Sequence, residues 1–121
     1  MSKFIIRAVS SGVKFDLIAA NGQQIASSEV YDTAAACKKG IASVRKNAPI
    51  AALEDQTAED FTARSNPKFE IFEDKAGSFR FRLKSRNGKV VAVSEGYTTK
   101  AGCENGIESV RKNAPDAEVE E

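Results

Sequence analysis

Gly40-Ile41-Ala42-Ser43-Val44-Arg45-Lys46-Asn47-Ala48-Pro49 returns later in the chain as Gly106-Ile107-Glu108-Ser109-Val110-Arg111-Lys112-Asn113-Ala114-Pro115, with only Ala42 and Glu108 at odds. Working outward at the same spacing, Cys37 matches Cys103, Tyr31 matches Tyr97 and Ser28-Glu29 matches Ser94-Glu95. Asn21-Gly22 matches Asn87-Gly88, and Phe15 and Leu17 match Phe81 and Leu83. From Phe15 to Pro49, 20 of 35 positions agree. Ahead of Phe15 the spacing shortens by one, so that Phe4 pairs with Phe69 and Gly12 with Gly77, a length change that a hairpin tolerates. Self-similarity at this level marks a tandem duplication. The copies span residues 3–49 and 68–115, with an acidic linker at 50–67 and an acidic tail at 116–121. The whole chain, 1–121, is short enough to be one domain.

Each copy changes its period once. Phe69 and Ile71, then Phe79, Phe81 and Leu83, alternate with polar residues as half-buried strands do. Asp74-Lys75-Ala76-Gly77 is a turn, and Asn87-Gly88 reads as a tight hairpin with both residues at positive φ. Lys89 to Glu95 completes a third strand. After Tyr97 the period becomes helical: Thr99 or Thr98 caps, and Cys103, Gly106, Ile107 and Val110 share one face. Arg111 and Lys112 suit the helix C-terminus, Asn113 can take a left-handed terminal position, and Pro115 stops the helix. One β-β-β-α unit buries too little surface to stand alone. The expected fold is therefore α+β, with two such units sharing one six-stranded antiparallel-type sheet and both helices on one face.

Composition removes several functions. The chain has 121 residues, 18 Lys and Arg against 17 Asp and Glu, no histidine and no tryptophan. Without histidine there are no His-based triads, no His general base and none of the common zinc ligand sets. Two cysteines are too few for a disulfide framework, and no run approaches the roughly 18 apolar residues of a membrane span. A reduced, cytoplasmic protein without metal, cofactor or membrane partner is expected. The near-zero net charge is a sum over unlike parts. Each repeat is +4, whereas the linker is −3 and the tail −4, so two basic units are joined by acidic segments expected to be mobile and to screen them.

The run Lys68-Phe69-Glu70-Ile71-Phe72-Glu73-Asp74-Lys75-Ala76-Gly77, followed by Phe79-Arg80-Phe81-Arg82-Leu83-Lys84, Asn87-Gly88, Ser94-Glu95-Gly96-Tyr97 and Gly106-Ile107-Glu108-Ser109-Val110, resembles the YegP-like family of small, mostly bacterial proteins. The first copy departs from the family pattern at Val30, at Asp16 and Ile18, and at Ala42. The resemblance implies a single sheet built from two β-β-β-α motifs with their C-terminal helices exchanged. It implies no reaction.

Four features compete for function. Cys37 and Cys103 lie on inward helical stripes, which favours small buried hydrophobes over a redox pair. Gly40 and Gly106 interrupt helices at a cost of roughly 1 kcal/mol each, which calls for a close approach or a backbone opening. Ser28, Glu29 and Tyr31, with Ser94, Glu95 and Tyr97, occupy the strand-to-helix junctions. They read as packing groups, with a small acid–base enzyme as the weaker alternative. Arg80, Arg82, Lys84 and Arg86 recur at alternate positions and share a sheet face with Phe72, where cross-strand acids such as Glu70 are expected to pair with them, while Lys38, Lys39, Arg45 and Lys46 make the first helix basic. The expected function is a non-catalytic interaction or ligand-binding module. Its alternative is binding of nucleic acid or another polyanion across a basic sheet face. A polyanion or protein partner fits either. A monomer is expected, although an uncovered sheet face or edge leaves room for a dimer.

Overall fold

Phe4 and Ile6, Phe15 and Leu17, Phe69 and Ile71, and Phe81 and Leu83 are all buried on one side of their strands, as period-two alternation demands. The computed structural model describes residues 1–121. Its elements run β1 (Lys3–Val9), β2 (Gly12–Ile18), β3 (Gln24–Ser27), α1 (Ala34–Asn47), β4 (Ala52–Asp55), β5 (Lys68–Glu73), β6 (Phe79–Lys84), β7 (Val90–Val93), α2 (Lys100–Asn113), a 3₁₀ turn (Ala114–Asp116) and β8 (Glu118–Glu120). The strands form one sheet in the order β4-β5-β6-β7-β3-β2-β1-β8.

That sheet is larger and less uniform than expected. Six strands are antiparallel, and the two halves meet where Ser27 of β3 opposes Val93 of β7. Two further strands arise from stretches read as mobile linker and tail, and both pair parallel: β4 with β5 and β8 with β1. Crossing between halves falls on these strands. The helix before each packs on its own half, Gly40 of α1 against Phe15 and Gly106 of α2 against Phe81, and reaches across the seam to β7 and β3 respectively.

Both helices cover the same face. Thr33 and Thr99 cap them by accepting from the Ala36 and Gly102 N–H groups, an interaction worth about 1 kcal/mol each. Their ends differ from the expectation, because no residue other than glycine has positive φ. Asn47 and Asn113 stay helical, and their side-chain amides donate back to the Ser43 and Ser109 carbonyls at 2.8 Å. The helices bury Cys37, Ile41 and Val44, and Cys103, Ile107 and Val110, against Phe4, Phe15, Phe69 and Phe81, all in one continuous core. The phenylalanines meet edge to face, Phe4 with Phe15 at 5.5 Å and Phe69 with Phe81 at 5.8 Å. No helix is long and apolar enough to cross a membrane.

The mid-helix glycines have a mechanical cause. A Cβ on Gly40 would lie 2.2 Å from the Tyr31 hydroxyl, and one on Gly106 would lie 2.3 Å from that of Tyr97. Each tyrosine ring stacks over a core phenylalanine, Tyr31 on Phe15 and Tyr97 on Phe81, both at 6.4 Å. The glycine leaves room for the tyrosine that closes the strand-to-helix junction.

Candidate functional site

The basic row on β6 faces the side of the sheet that carries no helix, and acids cover it. Arg80 Nε lies 2.7 Å from Asp74, Arg82 pairs with Glu70, and Lys84 Nζ lies 3.3 Å from Glu70. The Arg82 guanidinium also lies over the Phe72 ring, 4.4 Å from its centroid, so the aromatic is occupied. Glu54 and Glu70 are themselves only 2 % exposed, and Lys68 bridges them at 2.8 and 3.1 Å. Burial pushes the Glu70 carboxyl up, but Arg82, Lys68 and Lys84 prevail and hold it below the ordinary range. The basic face is thus an ion-pair lattice, as the cross-strand reading expects, and not the open polyanion surface of its alternative: Arg80, Arg82 and Lys84 are held by Asp74 and Glu70, and Arg82 covers Phe72. Opposite charges placed across neighbouring strands are what a solvated sheet face selects.

The first helix divides by side. On the side facing β8, Lys38 Nζ pairs with Glu121 at 2.8 Å, and the Arg45 guanidinium donates to the Ala117 carbonyl while lying over Phe4. These two residues hold the chain's end in place. On the other side Lys39 and Lys46, seven residues apart and therefore aligned, face the turn between β6 and β7. There Arg86 comes off the strand. The turn is a three-residue loop in which the Gly88 N–H donates to the Ser85 carbonyl and only Gly88 takes positive φ, at +83°. Asn87 keeps negative φ, contrary to the sequence reading, and its side-chain oxygen accepts from the Lys89 N–H. The extra residue of this loop, together with a register shift between Leu83 and Lys84, turns Arg86 away from the β6 row and toward α1.

The result is a groove of about 310 Å³ lined by Lys39, Ser43 and Lys46 from α1 and by Ser85, Arg86 and Asn87 from the turn. It continues past Lys39 and Ser43 to Lys89 and to the ring of Tyr31. Lys39, Lys46, Arg86 and Lys89 are exposed, and none forms an ion pair. No acidic residue lines either stretch. Sequence reasoning had named Lys39, Lys46 and Arg86 but set them in two separate rows, and it had missed Lys89. The signal for Lys89 was its place directly after the turn glycine.

The equivalent groove in the other half serves as an internal control. It is lined by Asn105, Glu108, Ser109, Lys112 and Asn113 from α2 and by Ala19, Ala20 and Asn21 from the β2–β3 turn, with a volume of about 360 Å³. The backbone is repeated, but Asn105 stands for Lys39, Ala20 for Arg86 and Gln23 for Lys89, and Glu108, paired with Arg111 at 3.8 Å, adds an acid to the wall that carries Lys112. Shape is common to both grooves. Charge belongs to one.

The remaining candidates are engaged in packing and in backbone hydrogen bonds. The Ser28 hydroxyl accepts from the Phe15 N–H and donates to the Glu29 carbonyl, and Ser94 does the same between Phe81 and Glu95. Both hydroxyls thus serve strand backbone groups. Tyr31 and Tyr97 are raised by burial, the wrong direction for a proton acceptor at neutral pH. Cys37 and Cys103 are fully buried, and burial pushes the Cys103 thiol to about 11, leaving it protonated and unreactive. No group of three or more Cys, Asp or Glu side chains is placed to hold a metal ion.

Comparison with known proteins fits this double architecture. The family profile described as Domain of unknown function (DUF1508) matches twice, over residues 9–55 and 74–121. A UPF0339 protein of Pseudomonas aeruginosa is 34% identical over 117 residues, covering 96% of this chain and 93% of the relative. A UPF0339 protein of Treponema denticola is 68% identical over 54 residues, which are 45% of this chain but 93% of that protein. Among solved structures, the Escherichia coli protein of unknown function YegP superposes with a TM-score of 0.80 at 31% identity, over 98% of this chain and 90% of that one.

Proposed function

The chain belongs to the DUF1508 family of domains of unknown function, and from that premise we propose that it is a non-catalytic binding module whose ligand is a linear polyanion held in the groove between α1 and the β6–β7 turn. The observation that carries this reading is the convergence of Lys39, Lys46, Arg86 and Lys89 on one groove without an acid, beside a twin groove that lacks three of the four. Nine of the other cations, Lys3, Arg7, Lys38, Lys68, Arg80, Arg82, Lys84, Lys100 and Arg111, have acidic partners, and the remaining unpaired ones (Lys14, Arg45, Arg64, Lys75 and Lys112) line neither stretch of this groove. Unpaired cations on two facing walls focus the field on the space between them. The Ser43 hydroxyl and the Asn87 side-chain amide add neutral donors of the kind that contact phosphate oxygens, while Ser85 donates to the Asn87 side-chain oxygen and orients that amide. The groove's serine hydroxyls, Ser43 and Ser85, have no carboxylate or cysteine beside them in the lining to act as an acid–base partner, which favours binding over catalysis.

The same reading treats the chain as an internal duplication. The double match of the family profile and the half-length Treponema relative support it. Two units in one chain then supply the strand exchange that separate copies would supply to each other, so the protein is expected to be monomeric, consistent with a soluble cytoplasmic module.

The test is a calorimetric titration with short-chain polyphosphate at low salt. Wild type and Lys112→Gln are expected to bind alike, with one site, and K39Q/K46Q/R86Q to lose the heat of binding. Absence of binding by wild type, or equal binding by the triple variant, would refute the groove.

A further inference from the structure

We infer that the polyanion taken by this groove is a single-stranded nucleic acid, with its phosphates along Lys39, Lys46 and Arg86 and one base stacked on Tyr31. The inference rests on the polyanion reading and adds what the groove's far end shows. Tyr31 is one of only two tyrosines, in a chain without tryptophan. Its ring is fixed as few surface aromatics are. Phe15 stacks against it from the core at an interplanar angle of 16°, and its hydroxyl is seated against Gly40. Toward the groove, the group that covers it is the Lys89 ammonium, 5.9 Å from the ring centroid. Lys89 is exposed and makes no ion pair, so its flexible stem can swing aside. A base entering there replaces the cation over the ring, and the displaced ammonium stays within reach of the adjoining phosphate.

The dimensions suit one strand. Lys39 and Lys46 are seven residues apart on α1, about 10 Å along the axis, which spans about three phosphates at the 3.4 Å spacing of a stacked strand. Cations stand on both walls, α1 on one side and the turn with Arg86 and Lys89 on the other, so a ligand must enter between them to meet all four. A bare phosphate chain or an acidic peptide gains nothing from Tyr31. A rigid aromatic at the end of a basic groove is the arrangement by which proteins hold single strands without reading their sequence.

Tyr97→Phe leaves Tyr31 as the only tyrosine, and Tyr31→Phe leaves Tyr97, so each chain carries one intrinsic fluorophore in the same fold. Both are titrated at low salt with an eight-residue oligothymidylate, an abasic deoxyribose-phosphate oligomer of equal length, a duplex of the same length, and polyphosphate. Circular dichroism confirms that both chains are folded. The expected result is quenching of Tyr31 by the oligothymidylate alone, no change in Tyr97 emission, and affinity for the oligothymidylate about tenfold above that for the abasic oligomer. Equal affinity for the two oligomers without quenching of Tyr31 overturns the base platform and leaves the polyanion groove standing. Tighter binding of the duplex overturns the single-strand assignment. Failure of all four ligands to bind overturns the groove itself.

Discussion

Lys68→Met tests the electrostatic argument where its consequences are largest. Glu54 of β4 and Glu70 of β5 stand opposite each other in register, so two buried carboxylates share one patch of sheet. Lys68 Nζ lies between them, with its side chain 13% exposed. Burial alone would raise the Glu54 carboxyl. Instead its bonds to Lys68, to the Gln56 amide and to the Arg64 N–H hold it at about 2. A carboxyl whose folded pKa lies below its unfolded value stabilises the protein fully above the unfolded value, near 4.5, and loses that contribution as pH falls toward the folded value. At about 1.36 kcal/mol per unit the contribution is about 3 kcal/mol as an upper bound, which solvent at the sheet's edge reduces. Replacing Lys68 by methionine removes the cation and leaves Glu54 buried beside Glu70 with only the Gln56 amide and the Arg64 N–H as partners, at a cost of about 3–5 kcal/mol near neutral pH. The sign of the pH dependence then reverses. Without its cation Glu54 is raised, and lowering the pH from 7 to 5 neutralises the unpaired charge. Urea unfolding at pH 7, 5 and 3 follows both effects. Wild type should weaken between pH 5 and 3, while K68M should be least stable at pH 7 and gain stability at pH 5. A loss below about 1 kcal/mol at pH 7, or a pH profile parallel to that of wild type, would refute the reasoning.

Three further expectations follow from the same geometry. Gly40→Ala places a methyl 2.2 Å from the Tyr31 hydroxyl and should lower stability by about 1–3 kcal/mol, with partial recovery in G40A/Y31F, measured by thermal unfolding. Deleting residues 118–121 frees Lys38 from Glu121 and Lys3 from Glu120, and should raise affinity for single-stranded oligonucleotide by up to about fivefold at low salt; unchanged affinity would show that the tail does not screen the basic helix. Rebuilding the twin groove with A20R/N105K/E108A should raise the polyanion stoichiometry from one to two by calorimetry, whereas a stoichiometry that stays at one would show that charge on this backbone is insufficient.

The legible part of the fold was the part written in local patterns. Phe81 and Leu83, Cys103 and Val110, and the capping Thr33 and Thr99 each announce a period or a boundary within a few residues. Strands β4 and β8 do not. Ala52–Asp55 and Glu118–Glu120 are short and acidic, Asp and Glu are depleted in strands, and both pair parallel with partners remote in sequence. Burial of Glu54 makes sense only once Lys68, fourteen positions later, is placed beside it. The site divides in the same way. Alternation put Arg86 in a row with Arg80, Arg82 and Lys84, and one extra turn residue removed it from that row. Lys39 and Lys46 were visible as helix charges, but nothing short of the sheet order brings α1 beside the β6–β7 turn. Pairing of the β6 row with Glu70 is legible as a cross-strand arrangement and is found for Arg82 and Lys84, whereas the hold of Asp74 on Arg80 depends on how the β5–β6 turn folds back.

The central claim is that the groove cations, and not the β6 row, receive the ligand. The measurement that addresses it most directly is the salt dependence of affinity for a single-stranded octanucleotide, followed by anisotropy for wild type, K39Q/K46Q/R86Q and R80Q/R82Q/K84Q. Four phosphates neutralised by Lys39, Lys46, Arg86 and Lys89 predict a slope of log affinity against log salt of about −2.8, falling to about −0.7 in the groove variant and unchanged in the β6 variant. A wild-type slope that survives loss of the groove cations, or one that collapses with the β6 row instead, would contradict the account.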